Sequence, residues 1–167
     1  DGWFSAVYFL KTKEIAKKYK PDAFVTMQFF QKNHAVICGT DEVIALLHSF
    51  ADNPENLEIH SLKDGDQISP FETVLTIKGR YQDFGYLEGI IDGILARRTS
   101  VATSVYNVMK AASISGKQKP VIFMGDRDDH FTQQAGDGYA AFIGGSTAQA
   151  THAMNEWWGK KGMGTMP

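Results

Sequence analysis

Pro120-Val121-Ile122-Phe123-Met124-Gly125-Asp126-Arg127-Asp128-Asp129-His130, continued by Ala135-Gly136-Asp137-Gly138-Tyr139, is the stretch that decides the fold. Apolar residues behind a proline read as a short buried strand, and a glycine followed by polar residues reads as the loop leaving its carboxyl end. The following residues predict a short helix at Tyr139-Ala140-Ala141-Phe142, a glycine turn at Ile143-Gly144-Gly145-Ser146-Thr147 and a longer helix over 148–158. Strand, helix, glycine turn and helix is the order in which an α/β barrel or doubly wound sheet begins, and such folds bind ligands at the carboxyl edge of their strands. Arg127 lies on that edge among Asp126, Asp128 and Asp129. Its fork of parallel donors suits a planar anion, a carboxylate or a phosphate. The plainer reading of the same residues is a solvated loop with local ion pairs.

Upstream of this strand, beyond the linker Gly116-Lys117-Gln118-Lys119, Phe84, Leu87, Ile90, Ile91 and Ile94 recur at helical spacing. Ala96-Arg97-Arg98-Thr99-Ser100 interrupts that pattern, and Val101, Val105, Val108, Met109 and Ala112 predict a second helix. The two arginines then sit at a helix junction, where the dipole of the second helix and the guanidinium groups add for an anion. The alternative is that they pair with acids inside a helical hairpin.

The first part of the chain opens on the aromatic run Trp3-Phe4-Ser5-Ala6-Val7-Tyr8-Phe9-Leu10, which passes into a predicted helix ending near Lys20-Pro21. Aromatics this dense read as a packing anchor, with ligand stacking or a subunit contact by Tyr8 or Phe9 as the second reading. Residues 23–30 and 35–38 are β-rich and separated by the polar Gln31-Lys32-Asn33-His34, long enough for a hairpin or an interrupted strand. Gly39-Thr40-Asp41-Glu42 opens a helix whose Val43, Ile44, Leu46, Leu47 and Phe50 share one side. Residues 57–62 and 73–79 predict two more strands around the turn Lys63-Asp64-Gly65-Asp66. The class expected is therefore α/β, with an α+β domain over 1–118 and the first, truncated part of an α/β barrel over 119–167.

Composition narrows the function. At 167 residues and 43% hydrophobic the chain can bury one good core, or one small domain plus part of another. Net charge is −2 from 17 basic and 19 acidic residues, with no long block of like charge, so neither nucleic acid nor an anionic membrane is the expected partner. The single Cys38 excludes an internal disulfide and favours a reduced compartment, making a cytoplasmic location the expectation. No apolar run approaches the roughly 20 residues of a membrane helix. His34, His48 and His60 share no metal-ligand spacing and read as structural, so no metal site is expected among this chain's side chains. Both ends read as cut, with Asp1 in place of an initiator methionine and Gly162-Met163-Gly164-Thr165-Met166-Pro167 stopping in mid-loop.

These motifs resemble the first half of a nicotinate phosphoribosyltransferase, of the type II phosphoribosyltransferase class. The resemblance is carried by Tyr8-Phe9, Leu87-Glu88-Gly89, Ala96-Arg97-Arg98-Thr99-Ser100-Val101-Ala102-Thr103, Gly125-Asp126-Arg127, Asp137-Gly138-Tyr139-Ala140-Ala141, Gly144-Gly145 and Gly164-Thr165-Met166-Pro167. It covers essentially the whole chain, and members are roughly twice as long.

The resemblance implies an irregular α/β barrel after the N-terminal domain. It also implies formation of nicotinate mononucleotide and diphosphate from nicotinate and phosphoribosyl diphosphate in NAD biosynthesis, with magnesium and coupled ATP hydrolysis. Homodimers or larger homo-oligomers with shared active sites are implied too. Arg127 would pair with the nicotinate carboxylate or a neighbouring phosphate, Arg98 would add to the anionic site, and Tyr8 or Phe9 would stack on a pyridine ring, in the partner subunit or this one. Thr165 joins these as substrate-binding, with Thr99, Ser100, Asp137, Gly144 and Gly145 behind them. The family's phosphorylated histidine follows the Gly-Thr-x-x element, which places it just after Pro167, so no catalytic residue is assigned within the chain.

The chemistry agrees. The pyridine nitrogen of nicotinate carries a free lone pair at neutral pH, so attack on the ribose carbon needs no general base. Departure of diphosphate builds positive charge on the sugar, and cations on the leaving group with carboxylates near the ring are what such a site requires. The closest alternative is quinolinate phosphoribosyltransferase, which handles a dicarboxylate, releases carbon dioxide and would need more cationic groups. An alternative of another class is a barrel-sandwich carrier module over residues 57–78, but its one nearby acceptor candidate, Lys63, lacks flanking methionines. A third reading is a fragment inactive alone, whose activity belongs to a longer protein.

Overall fold

Alternation of apolar and polar residues over Phe24–Phe30 and Thr73–Arg80 produces two paired strands, and the other elements follow from the same local patterns. In the computed structural model, residues 2–114 and 116–164 are described. The order is α1 (Val7–Tyr19), β1 (Phe24–Phe30), β2 (Ala35–Val36), α2 (Thr40–Phe50), β3 (Glu58–Ser61), β4 (Gln67–Ile68), β5 (Thr73–Arg80), α3 (Tyr81–Phe84) and α4 (Glu88–Ala112). Then come β6 (Ser113–Ile114), β7 (Lys117–Gln118), β8 (Ile122–Phe123), α5 (Gln134–Ile143) and β9 (Ala148–Gln149), with short 3-10 turns between them. The chain forms two compact units. One holds the residues up to 34, Gly39–Lys63 and Ile68–Ala96; the other holds Ala35–Cys38, Asp64–Gln67 and the residues from Arg97 onward. The change of unit along the chain thus falls inside α4, whereas the sequence places its boundary after residue 118.

The first unit is built on a three-stranded antiparallel sheet in the order β1-β5-β3. Ile77 of the central strand faces Met27 on one side and Ile59 on the other, and Val74, Leu75 and Ile77 are buried. Helix α2 starts from Gly39 at φ 101°, a conformation that glycine adopts without a Cβ penalty. Asp41 and Glu42 oppose the helix dipole in its first turn, and Val43 and Leu47 are fully buried. Tyr86 donates its hydroxyl to Phe50 O and to Asp52 Oδ1 at 3.2 Å, while Lys13 pairs with Asp52 Oδ2 at 2.8 Å. Burial, then the Asp52 charge, pushes the Tyr86 hydroxyl up to about 12. The run 24–30 and the run after residue 34 do not form a hairpin with each other: β1 pairs with β5, and β2 with β4.

The second unit centres on Val36, Cys38, Ala102 and Ala140, with Val101, Tyr106, Tyr139 and Ile143 packed around them. Strands β8 and β9 pair in parallel, Ile122 opposite Ala148 and Phe123 opposite Gln149, with α5 as the crossover between them. This is a βαβ unit, the element of which parallel sheets and barrels are made. Two expectations are corrected. Residues 96–100 do not break the helix, because α4 runs unbroken over 25 residues. Its buried face passes through Ile91, Leu95, Arg98, Ala102 and Val105, so a charged side chain occupies the core-facing position where the apolar pattern lapses. Residues 148–158 are not one helix either: the first two belong to β9, and a 3-10 turn covers Ala153–Trp158.

Candidate anion-binding site on the second unit

Adjacent arginines on α4 converge on one carboxylate. Arg97 donates to Asp137 through Nε to Oδ1 at 3.1 Å and through Nη2 to Oδ2 at 2.7 Å, and Arg98 donates through Nη1 to Oδ1 at 2.9 Å. The side chain of Asp137 is 3% exposed and that of Arg98 10%, so this pair is buried, whereas Arg97 at 39% reaches solvent. The same Nη2 of Arg97 lies 2.7 Å from Asp129 Oδ2 on the loop after β8. Asp137, then Asp129, raise the Arg97 pKa above its ordinary value and keep the guanidinium charged. The Arg98 guanidinium also lies 5.6 Å from the centre of the Trp157 ring.

Glycines flank Asp137 for steric reasons. A Cβ on Gly136 would come within 2.0 Å of Arg98 Cζ, and one on Gly138 within 2.1 Å of Met154 O. Gly144 admits Ala102 O, which a Cβ would approach to 2.5 Å. Gly145 takes φ 98° as the chain leaves α5.

One turn apart on α4, Thr99 and Thr103 clasp the segment at 36–38. Thr99 Oγ1 accepts from Cys38 N at 3.2 Å and donates to Cys38 O at 3.2 Å; Thr103 Oγ1 accepts from Val36 N at 3.0 Å. These hydroxyls pair with backbone groups of a buried segment, where hydrogen-bonding capacity has to be met inside the protein. Ser100 points to solvent.

Arg127 is placed differently from Arg98. Its side chain is 82% exposed, and its ion pair, with Asp126 Oδ2, is a loose one at 4.0 Å. Asp126 Oδ1 is buried with no hydrogen-bond partner among the described residues. Arg98 is turned inward onto Asp137, so the two arginines that the sequence groups in one anionic site have different surroundings: one neutralised in the core, one open to solvent. The alternative of arginines paired with acids describes Arg97 and Arg98 better, although the acids come from α5 and a loop. Of Arg97 and Asp129, the sequence offered the first only as one of two adjacent arginines at an expected helix junction and gave the second no role. The adjacency of the arginines pointed to the first, and nothing local points to the second.

In the first unit Tyr8 is 63% exposed and Phe9 is buried, their ring centres 4.2 Å apart. The same unit carries an apolar hollow of about 510 Å³ lined by Trp3, Phe4, Leu46, Phe50 and Ile90 among others. Thr165 lies outside the described residues. Among the described residues no three His, Cys, Asp or Glu side chains cluster so as to hold a metal ion, and no helix is long and apolar enough to cross a membrane.

A mixed α/β chain with an α+β first unit, a βαβ element after it and arginines near the carboxyl end of its first parallel strand is the N-terminal architecture of a type II phosphoribosyltransferase. Residues 6–99, more than half of the chain, match the family model of the quinolinate phosphoribosyl transferase N-terminal domain, and the chain belongs to that family. Among solved structures it is similar to nicotinate-nucleotide pyrophosphorylase from Pyrococcus furiosus, with 31% identity and a TM-score of 0.87 over 99% of this chain and 42% of that one. Human nicotinic acid phosphoribosyltransferase shares the fold, with 14% identity and a TM-score of 0.80 over 98% of this chain and 39% of that one. So does nicotinate-nucleotide pyrophosphorylase from Francisella tularensis, with 18% identity and a TM-score of 0.63 over 82% of this chain and 51% of that one. The chain thus spans about two fifths to one half of the length of these relatives. No curated protein sequence matches it.

Proposed function

We propose that the protein transfers a phosphoribosyl group from phosphoribosyl diphosphate to the ring nitrogen of a pyridine carboxylate, giving nicotinate mononucleotide and diphosphate for NAD synthesis, and that Arg127 grips the acceptor's carboxylate. The observation that carries this is the 31% identity to the Pyrococcus nicotinate-nucleotide pyrophosphorylase over 99% of the chain. Of the arginines in the second unit, Arg127 is the one whose fork faces solvent with only a loose carboxylate neighbour. It can therefore bind an anion without first breaking a short ion pair.

Quinolinate is the better supported acceptor, since the family model carries that substrate's name. With quinolinate the second carboxylate also leaves as carbon dioxide, and the ring carbon that held it keeps the bonding pair and takes a proton from solvent. Nicotinate is the second reading, favoured by one observation: Arg97 and Arg98 are already neutralised by Asp129 and Asp137, which leaves Arg127 to face one carboxylate rather than two.

Neither acceptor needs a general base, because the attacking nitrogen is unprotonated at neutral pH. This chain's part is to hold the carboxylate and orient the ring. Magnesium belongs to the proposal, but the described residues form no cage for it, and no step is assigned to it. ATP coupling belongs to the nicotinate reading and is tested by whether ATP raises turnover. A shared active site in a homodimer or larger assembly, with Tyr8 or Phe9 as ring-stacking groups, is proposed on the same footing.

The test supplies the full-length protein with phosphoribosyl diphosphate and either acceptor, following mononucleotide by chromatography and labelled carbon dioxide from quinolinate. Arg127→Ala is expected to lower kcat/KM by about 10²-fold or more, as for loss of a charged donor in a reaction site. No mononucleotide from either acceptor would sink the proposal.

A further inference from the structure

The loop that carries Arg127 has few fastenings of its own. Within it, Asp129 N donates to Gly125 O at a long 3.4 Å, and Arg127 meets Asp126 at 4.0 Å. Among the described residues, the interaction that fastens 126–129 beyond their own turn is the ion pair from Asp129 Oδ2 to Arg97 Nη2 at 2.7 Å. Arg97 is a rigid post for it. Two of its nitrogens are held by the buried carboxylate of Asp137, and its backbone belongs to the long helix α4. Asp129 is two residues from Arg127, so whatever fixes the one limits how far the other can wander.

We propose that Asp129 is a positioning residue: its ion pair with Arg97 pins the 126–129 loop to α4 and so presents the Arg127 guanidinium to the acceptor's carboxylate. This rests on the reading of Arg127 given above. The pair is half-exposed, with side-chain exposures of 39% and 38%, so its removal barely changes the stability of the fold. Its effect falls instead on capture of the acid, because a guanidinium that is no longer held in place must be ordered each time a carboxylate binds.

The test is steady-state kinetics of the full-length protein carrying Asp129→Ala, Asp129→Glu or Arg127→Ala, with melting temperatures alongside. Asp129→Ala is expected to raise KM for the pyridine carboxylate by roughly 10-fold or more, with a smaller change in kcat and an unchanged melting temperature, and Asp129→Glu to recover part of the loss. Amide exchange over 126–129 is expected to quicken in Asp129→Ala and not in Arg127→Ala. If Arg127→Ala is impaired and Asp129→Ala is not, the positioning role is refuted and the anion site stands. If Arg127→Ala is silent, both fall.

Discussion

Removing the carboxylate of Asp137 is the sharpest perturbation the structure offers. In Asp137→Ala the Arg98 guanidinium, on a side chain only 10% exposed, loses the anion 2.9 Å away that offsets its burial. Breaking a buried pair from one side costs about 3–5 kcal/mol, because a buried charge loses its countercharge. Arg97 loses the same partner but is 39% exposed; water takes over much of that role, adding at most about 1 kcal/mol. The total, near 4 kcal/mol, is roughly a thousandfold shift in the folded-to-unfolded ratio and a large part of the stability of an ordinary domain. Equilibrium unfolding in urea measures it, with Trp157, whose ring centre is 5.6 Å from Arg98, as the fluorescent reporter. Asp137→Asn keeps the shape and an acceptor oxygen and is expected to lose about half as much. The double variant Arg98→Met with Asp137→Leu removes both charges and is expected to be more stable than Asp137→Ala alone. A loss below about 1 kcal/mol in Asp137→Ala would refute the burial argument.

Two other outcomes are expected. Thr99→Val keeps the volume but removes the hydroxyl that bonds to the Cys38 N–H and C=O; a loss of about 1–3 kcal/mol and faster amide exchange at Cys38 are expected, with Thr99→Ser close to the parent. Glu88 has a raised pKa, chiefly from burial and then from Asp92 one turn along, so the folded state holds its proton more tightly than the unfolded one. The penalty is absent below the ordinary 4.5 and fully present above the raised value. Glu88→Gln should therefore raise the melting temperature at pH 7 and lose that advantage at pH 4.

The elements built from local signals were legible in the sequence. Strands at 24–30 and 73–80, helix 40–50 behind Gly39 and the short strand at 122–123 all declare themselves through alternation, helical period or turn residues. The parts that failed depend on partners far along the chain. Arg98 and Thr99 looked like a helix break because an apolar pattern does not count a guanidinium as core; only Asp137, 39 residues away, and Cys38, 61 residues away, make those positions interior. Residues 148–149 form a strand because β8 is beside them, not because their own preference is extended. At the candidate site, Arg127 was legible as a cation on a strand edge, and Asp137 entered only through the family resemblance. The Asp129 contact with Arg97 was not, since an acid in a polar loop carries no sign of which cation it will meet.

The threonine clasp has a consequence for how the polypeptide comes into being. Residues 35–38 leave the ribosome well before the helix that holds them, yet they belong to the second unit with the residues from Arg97 onward. During that interval Val36 and Cys38, nearly inaccessible in the finished structure like Ile37 between them, have no Thr103 or Thr99 to pair with their backbone. A nascent chain in this state exposes a short apolar segment ready to associate with the wrong neighbour. For the same reason, excising the second unit as one continuous piece starting at residue 97 leaves out part of its interior.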